Sequence, residues 1–397
     1  MLTSLLVVLI ALAVAGYLAF SKRCLGSADW KATVTPLASI MGSGFLVSMP
    51  LLAGAVGMWA PVFMAGLLGL AYLVGGAIRF NILHFEPIEN EKGLAQEVGL
   101  LSRFVLAGAY FISVAYYLQL LAAFLLEAMG VDHPGLANWL TTGLLMVIGL
   151  VGMRRGLKTL ESIESYAVAL NLGMIAALIL ALAWHNARLL VAGDWGLVQA
   201  GGPIDWTDLR VVLGLLIVVQ GFETSRFLGG GHPAAQRIRT MKVAQWVSSG
   251  IYLVFITLAL VLYKEGQGAD VTAIISMTKP VAAVLPVLIA VAAIGSQFSA
   301  AVADTAGAGG LIEDITRKRL SLKMAYLLIL LVTVALTWGT DVNEIISYAS
   351  RAFALFYFLQ CVVALLLARK VAAGKVVTFG LTGLACLAVF LLGIPSE

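Results

Sequence analysis

Two carboxylates stand inside long apolar stretches of this 397-residue sequence: Glu223, within Gln220-Gly221-Phe222-Glu223-Thr224-Ser225, and Asp304, within Ala300–Gly310. A carboxylate in a membrane span is costly, so it faces a cavity or a partner and is a functional candidate by default. Two roles fit Asp304: accepting the ammonium of an amine, or carrying a proton. Glu223 is a second proton candidate, although Arg226, three residues on, is placed to pair with it across one helical turn. Glycines interrupt two of the apolar stretches near their middles. One break is Ile40-Met41-Gly42-Ser43-Gly44-Phe45, with Pro50 further along; the other is the segment around Gly221. Glycine lowers helix propensity and lets the backbone leave helical dihedrals. A helix broken this way presents N–H groups at one half-helix end and carbonyls at the other, suited to a carboxylate and a cation respectively. Close helix packing alone also uses glycine. Two breaks at matching positions, five spans apart, point to a site.

Other chemistry is excluded by what the sequence lacks. It has no HExxH, P-loop or GxSxG pattern, and no nucleophile–base set stands out as an enzyme would need. Cys24, Cys361 and Cys386 form no CxxC pair and read as packing residues, while His84, His133, His185 and His232 are scattered and suggest no metal site. Glu86, Glu89, Glu91 and Lys92 read as a solvated loop end, as do Glu161 and Glu164. Arg351 lies within a span, where it can pair with Asp304, bind a carboxylate or snorkel to a boundary.

The elements that must position these residues are membrane helices. The chain is 61% hydrophobic and only 12% charged, about half the charge of a soluble domain. In hydrocarbon the backbone must satisfy its own hydrogen bonds, so spans are helices or a closed barrel. Runs such as Phe255–Leu262 and Leu327–Leu336 lack the period-2 alternation of barrel strands. Windows of about 19 residues give twelve spans, at 1–20, 33–57, 60–82, 101–128, 136–153, 163–186, 207–228, 241–263, 281–312, 322–338, 342–367 and 376–394. The first ends in Ser21-Lys22-Arg23 without a small-residue cleavage site, and is expected to be a retained helix. Placing the segment after it in the cytoplasm puts twenty of the 25 Lys and Arg residues on cytoplasmic loops. Arg188, Arg210, Lys264 and Lys279 then lie outside. The positive-inside rule therefore predicts that both termini face away from the cytoplasm, with a bacterial inner membrane as the setting.

The two breaks carry a family likeness. Met41-Gly42-Ser43-Gly44, in ASIMGSGFLVSMPLLAGAVG, resembles the GSG-containing first bundle helix of the amino acid–polyamine–organocation (APC) superfamily. Gly221-Phe222-Glu223 resembles the G-F/V-E break in that superfamily's sixth bundle helix, and His232-Pro233 with Arg237-Ile238-Arg239 resembles its following cytoplasmic segment. The additional leading span is similar to that of the sodium/solute symporters, as is the stretch from Ser299 to Arg319. The resemblance implies an all-α polytopic membrane protein with the leucine-transporter fold: a five-plus-five inverted-repeat bundle with one extra helix at each end. The first extra helix would occupy 1–30, the two repeats 31–190 and 205–370, and the final helix 371–397.

The resemblance also implies roles. Gly42, Ser43 and Gly44 would offer backbone N–H groups to a substrate carboxylate, and Gly221, Phe222 and Glu223 would close the other side, with Phe222 as a gate or platform. Tyr116 or Tyr117 would supply a hydroxyl or ring. Asp304 would sit on the cavity wall, one turn below Ala300. A sodium ion would take carbonyls of Ala38 and Met41 with Ser296 and Ser299, oxygen donors that suit a hard cation; one usual hydroxyl position is occupied by Ala300 instead. The expected function is secondary active transport of an amino acid or related small amine by alternating access, coupled to H+ or Na+. The alternatives are a sodium/solute-type symporter for another metabolite, or a non-transporting sensor of the same fold. The expected partners are a small solute and the lipid bilayer, with no nucleic acid, and no cofactor beyond a possible Na+.

Overall fold

The computed structural model describes residues 2–131, 133, 135–155, 157–197, 203–264 and 270–396. Its helices are α1 (Leu2–Phe20), α2 (Ala28–Val56), α3 (Ala60–His84), α4 (Leu94–Met129), α5 (Leu136–Arg155), α6 (Lys158–Ala192), α7 (Trp206–Gly214), α8 (Ala234–Ala259), α9 (Leu285–Ile315), α10 (Leu322–Gly339), α11 (Val342–Val371) and α12 (Val376–Leu392). Among the described residues there is no strand. Ten segments are long and apolar enough to cross a membrane, and one of them, Ala28–His84, contains both α2 and α3. The seventh predicted span fails that test because it is broken. After α7 come two 3-10 segments, Leu216–Val219 and Phe222–Gly230. The twelve expected spans are therefore present, one of them in pieces.

The helix ends follow local chemistry. Ser27 starts α2 by accepting a hydrogen bond from Trp30 N–H, and Ser321 does the same for α10 from Met324 N–H. Asp205 with Asp208 starts α7, and Asp341 with Glu344 starts α11, each as a reciprocal capping box. Such caps satisfy backbone donors that the first turn leaves unpaired. At 36 residues, α4 is about 54 Å long, well beyond a 30 Å hydrocarbon core.

The packing places α4 at the centre, against α9 and α11 along much of its length; α2 packs on α8, α5 on α10, α1 on α6, and α12 on α11 and α3. This is the five-plus-five helix bundle, with α1 and α12 outside it. One reading changes here. Glu86 and Glu89 are not solvated loop ends. Both are partly buried, and each is tied to arginines from other helices.

Candidate functional site

The site begins where the two breaks cross. Within α2 the helical path fails at Gly44 (φ 173°, ψ 17°). That φ is extended and open to any residue; what demands glycine is space, because a Cβ there would lie 2.8 Å from Val218 Cα. On the other chain segment Gly221 has φ +117°, and a Cβ would lie 2.6 Å from the Ser39 carbonyl carbon and 2.7 Å from Ile40 N. Gly221 therefore meets both requirements for glycine: a left-handed backbone and the close approach of another backbone. The breaks are a single crossing of two backbones.

Breaking a helix frees carbonyls that must be satisfied inside the bundle. Tyr252 of α8 supplies this directly: its buried hydroxyl donates to Ile40 O at 3.0 Å, and also to Val218 O. Gln297 of α9 donates to Gly42 O at 3.0 Å, and Ile217 N–H donates to Ser350 Oγ of α11 at 2.9 Å. Gln220 donates to Tyr117 Oη at 2.9 Å. Four surrounding helices thus hold the crossing. None of Tyr252, Gln297 or Ser350 was singled out in the sequence, although a tyrosine within an apolar run must find a partner for its hydroxyl when buried.

Glu223 lies just past the crossing and is buried. Its Oε2 accepts from Gly221 N–H at 3.0 Å and from Tyr357 Oη–H at 2.8 Å; Oε1 has no hydrogen-bond partner. The Phe222 ring stacks on Tyr357 at 5.2 Å between centroids. The expected pairing with Arg226 is not formed. Arg226 instead donates to Gln360 Oε1 at 3.0 Å and to Glu89 Oε1 at 3.3 Å. Both side chains reach α11, Glu223 at Tyr357 and Arg226 at Gln360, and Arg226 reaches Glu89 of the α3–α4 loop as well.

A cavity of about 740 Å³ adjoins the crossing, walled by α2, α4, α6, α9 and the second 3-10 segment. Asp304 faces it, with Ser296, Ser299 and Gly307 on the same α9 stripe; Thr35, Ala38 and Ser39 face it from α2, Tyr110 from α4, Asn171 from α6 and Thr224 from the broken helix. Asp304 Oδ2 shares a hydrogen bond with Ser113 Oγ, which also lies 3.1 Å from Tyr110 O. Ser113 has one hydrogen to give. It can donate to the carboxylate, or donate to the carbonyl while accepting from a protonated Asp304. The arrangement therefore serves either charge state.

At its outer end the cavity is bounded by Arg103 and Asp314, paired at 2.9 Å, with the Asp314 side chain 66% exposed. Arg103 also holds Glu89 at 2.5 Å, and Arg237 holds Glu86 at 2.6 Å. At the crossing Phe45, Tyr252 and Phe255 are buried against one another, with ring centroids 5.3 Å (Phe45–Tyr252) and 4.3 Å (Phe45–Phe255) apart. The cavity is open on one side of the crossing and packed shut on the other.

Of the residues expected at the site, Ala38, Ser296, Ser299 and Asp304 line this cavity. Gly42 lies beside it, where a Cβ would meet Ser296 Oγ at an ordinary 3.5 Å. Gly44, Gly221, Phe222 and Glu223 form the crossing above it and are not part of its lining, and Met41 is buried. The Ser43 side chain lies outside what the structure describes, as do those of Glu161 and Glu164. Tyr116 is fully buried and does not reach the cavity. The stripe of α4 that faces inward is Tyr110, Ser113 and Tyr117, at spacings of three and four. Arg351 donates to Phe390 O at 2.8 Å, which ties α11 to α12, away from Asp304.

Broken helices that cross at mid-bundle beside a one-sided cavity are the anatomy of a carrier. The sequence matches the family described as APC superfamily transporter over residues 22–393. The chain belongs to that superfamily. The matched range begins after α1. This APC transporter is 44% identical over 343 residues to an uncharacterized protein of Aquifex aeolicus (strain VF5), covering 84% of the chain and 83% of that relative. Among solved structures it resembles the Eremococcus coleocola manganese transporter. One variant of that protein gives a TM-score of 0.56 at 15% identity, over 92% of this chain and 87% of the other. The same transporter in complex with an aromatic bis-isothiourea compound gives 0.55 at 15% identity, with the same coverage. At that identity the likeness speaks for the fold alone.

Proposed function

We propose that this APC transporter carries a small organic solute bearing an amine, an amino acid or a close relative, by alternating access with proton coupling. The observation that carries the reading is Asp304: a carboxylate on the wall of a solute-sized cavity, set among hydroxyl and amide groups, with the backbone crossing at its inner end. An ammonium group would take Asp304 and the Ser299 hydroxyl, and a carboxylate would take N–H groups of the broken α2 around Gly42, Ser43 and Gly44. Phe222 and Tyr116 act from behind the lining, as packing that shapes the crossing and α4.

A metal cargo, as named for the manganese transporter, is not the reading favoured here. Divalent cations favour several carboxylates or imidazoles, and among the described residues no three His, Cys, Asp or Glu side chains converge. For coupling, Glu223 is the leading proton carrier. It is a carboxylate without an ion-pair partner among the described residues, next to the crossing that must rearrange for the cavity to change sides. Asp304 is the second. Sodium is the competing reading, because Ala38, Ser296 and Ser299 line the same cavity, and the carbonyls of Ala38 and Met41 would complete an oxygen set with the two hydroxyls.

The test is uptake by purified protein in liposomes, screened across amino acids and amines with and without sodium. Asp304→Asn should weaken amine binding on the order of a hundredfold, the scale of removing one partner of a buried charged pair. Unchanged binding in that variant would remove Asp304 from the solute site. Sodium-stimulated uptake that is lost in Ser299→Ala would assign the coupling to sodium instead.

A further inference from the structure

A second cavity, of about 840 Å³, lies on the other side of α2, between α2, α6 and α8. Its polarity is divided. Leu37, Ile175, Ile179, Val243, Val247 and Ile251 line most of it, whereas Ser27, Asp29, Trp30 and Arg239 gather at one end. Val243, Val247 and Leu180 are 45%, 42% and 53% exposed, so the apolar part is open sideways at a depth where the chain spans the membrane. The polar end is exposed as well: the Arg239 and Asp29 side chains, paired at 2.5 Å, are 64% and 52% exposed.

The charge at that end is one-sided. Asp29 is already engaged by Arg239 and by Gln236 Nε2 at 2.9 Å. Near Asp29 in the chain stand Lys22, Arg23 and Lys31, and near Arg239 stands Lys242, all exposed and outside the lining itself. An apolar furrow along the bilayer, ending in exposed cations and an interfacial tryptophan, has the polarity profile of a single amphipathic molecule with an anionic head. We propose that this groove binds an anionic phospholipid. Its phosphate would sit at Arg239, the one basic residue of the lining, with Lys31 and Lys242 nearby in the chain adding to the positive field, and an acyl chain would lie along Ile175 and Ile179 on α6 and Val243 and Val247 on α8. A free phosphate would leave the apolar length unused, so the lipid is the occupant that accounts for both halves.

The position gives the lipid leverage. The first half of α2 is the partition between the two cavities: Thr35, Ala38 and Ser39 face the solute cavity, while Trp30, Thr33 and Leu37 face the groove. On α6, Val168 and Asn171 face the first cavity, and Leu172 and Ile175 the second. A phosphate that takes Arg239 competes for the tie between α2 and α8, so occupancy would bias where the first half of α2 rests. This last step rests on the transport reading above, whereas binding itself does not.

Binding is therefore tested without transport. Purified full-length protein in detergent would be titrated with phosphatidylglycerol and phosphatidylcholine of equal chain length and read by native mass spectrometry. The wild type should retain phosphatidylglycerol selectively. Arg239→Gln with Lys242→Gln should lower that retention, about fivefold for each cation removed. Val247→Trp, a substitution at an exposed groove position, should lower it by filling the furrow while leaving the melting temperature in place. Equal retention of both lipids, undiminished phosphatidylglycerol binding in both variants, or displacement of the lipid by millimolar inorganic phosphate would each overturn the proposal. If binding holds and amine uptake fails, the lipid site stands and the transport reading falls.

Discussion

Glu223 and Asp304 are two carboxylates of one bundle in different surroundings. Asp304 faces open volume and shares a hydrogen bond with a serine that can reverse its direction. Glu223 is enclosed, with one oxygen held by Gly221 N–H and Tyr357 and the other left without a partner. A carboxylate enclosed in a span without an ion-pair partner is costly, and on that ground Glu223 is the proposed proton carrier. The sign of the pH dependence follows. In a proton-coupled carrier, uptake falls as rising pH removes the proton that the transported state needs. Glu223→Gln keeps the shape and the acceptor for Tyr357 but cannot exchange a proton. It should flatten the pH profile of uptake and abolish solute-driven proton flux, while solute binding persists; uptake is measured across pH in liposomes carrying an internal pH dye. A variant that retains the full pH dependence would take Glu223 out of the coupling. Tyr357→Phe removes one of the two hydrogen bonds to Glu223 Oε2, leaving that of Gly221 N–H, and should cost about 1–3 kcal/mol of stability, seen in thermal unfolding.

At the scale of the elements, the three glycines at the breaks are not equivalent. Gly221→Ala meets a left-handed φ and the α2 backbone within 2.7 Å. Strain and overpacking of that kind cost about 1–3 kcal/mol each. Gly44→Ala meets Val218 at 2.8 Å, without the dihedral penalty, and Gly42→Ala meets only ordinary contact at 3.5 Å. Thermal unfolding in detergent should therefore rank Gly42→Ala near the parent, Gly44→Ala below it and Gly221→Ala lowest. Any other order would show that the crossing is looser than its geometry. The breaks were legible in the sequence because a glycine cluster in an apolar span has few other uses, and the long helices were legible from hydropathy alone. What surrounds the breaks was not. Tyr252, Gln297 and Ser350 reach the crossing from helices distant in the chain, and hydropathy carries no sign of which neighbour a side chain meets. Tyr116 illustrates rotation: α4 is buried on most sides, so periodicity did not say that Tyr110, Ser113 and Tyr117 would face inward. Glu86 and Glu89 read as solvent-exposed because the arginines that hold them come from α4, α8 and the broken helix. The Glu223–Arg226 expectation assumed α-helical spacing that the glycine break removes.

At the scale of the whole molecule, the cavity defines a direction. It reaches the end of the bundle where Asp314 stands exposed beside the partly buried Arg103, while Phe45, Tyr252 and Phe255 are packed together at the crossing. Twenty of the 25 basic residues fall on loops of the first kind if the alternation of spans holds, so the positive-inside rule makes this the cytoplasmic end. On that expectation the structure would be an inward-open state, with the termini on the other side. Site-directed labelling tests both statements together. The native cysteines Cys24, Cys361 and Cys386 are buried, so background labelling is low. Gly310→Cys places a thiol on the cavity wall where nothing lies within 4 Å, and Ala303→Cys places one a step deeper. A membrane-impermeant maleimide should modify both in inside-out vesicles and neither in right-side-out cells. A transported amine should protect Ala303→Cys, beside Asp304, more than Gly310→Cys nearer the mouth. Labelling from the opposite face would invert the topology, and labelling from both faces would mean that the outer seal opens readily at rest. An equal rate at the two positions, unaffected by solute, would place the solute elsewhere than the Asp304 cavity.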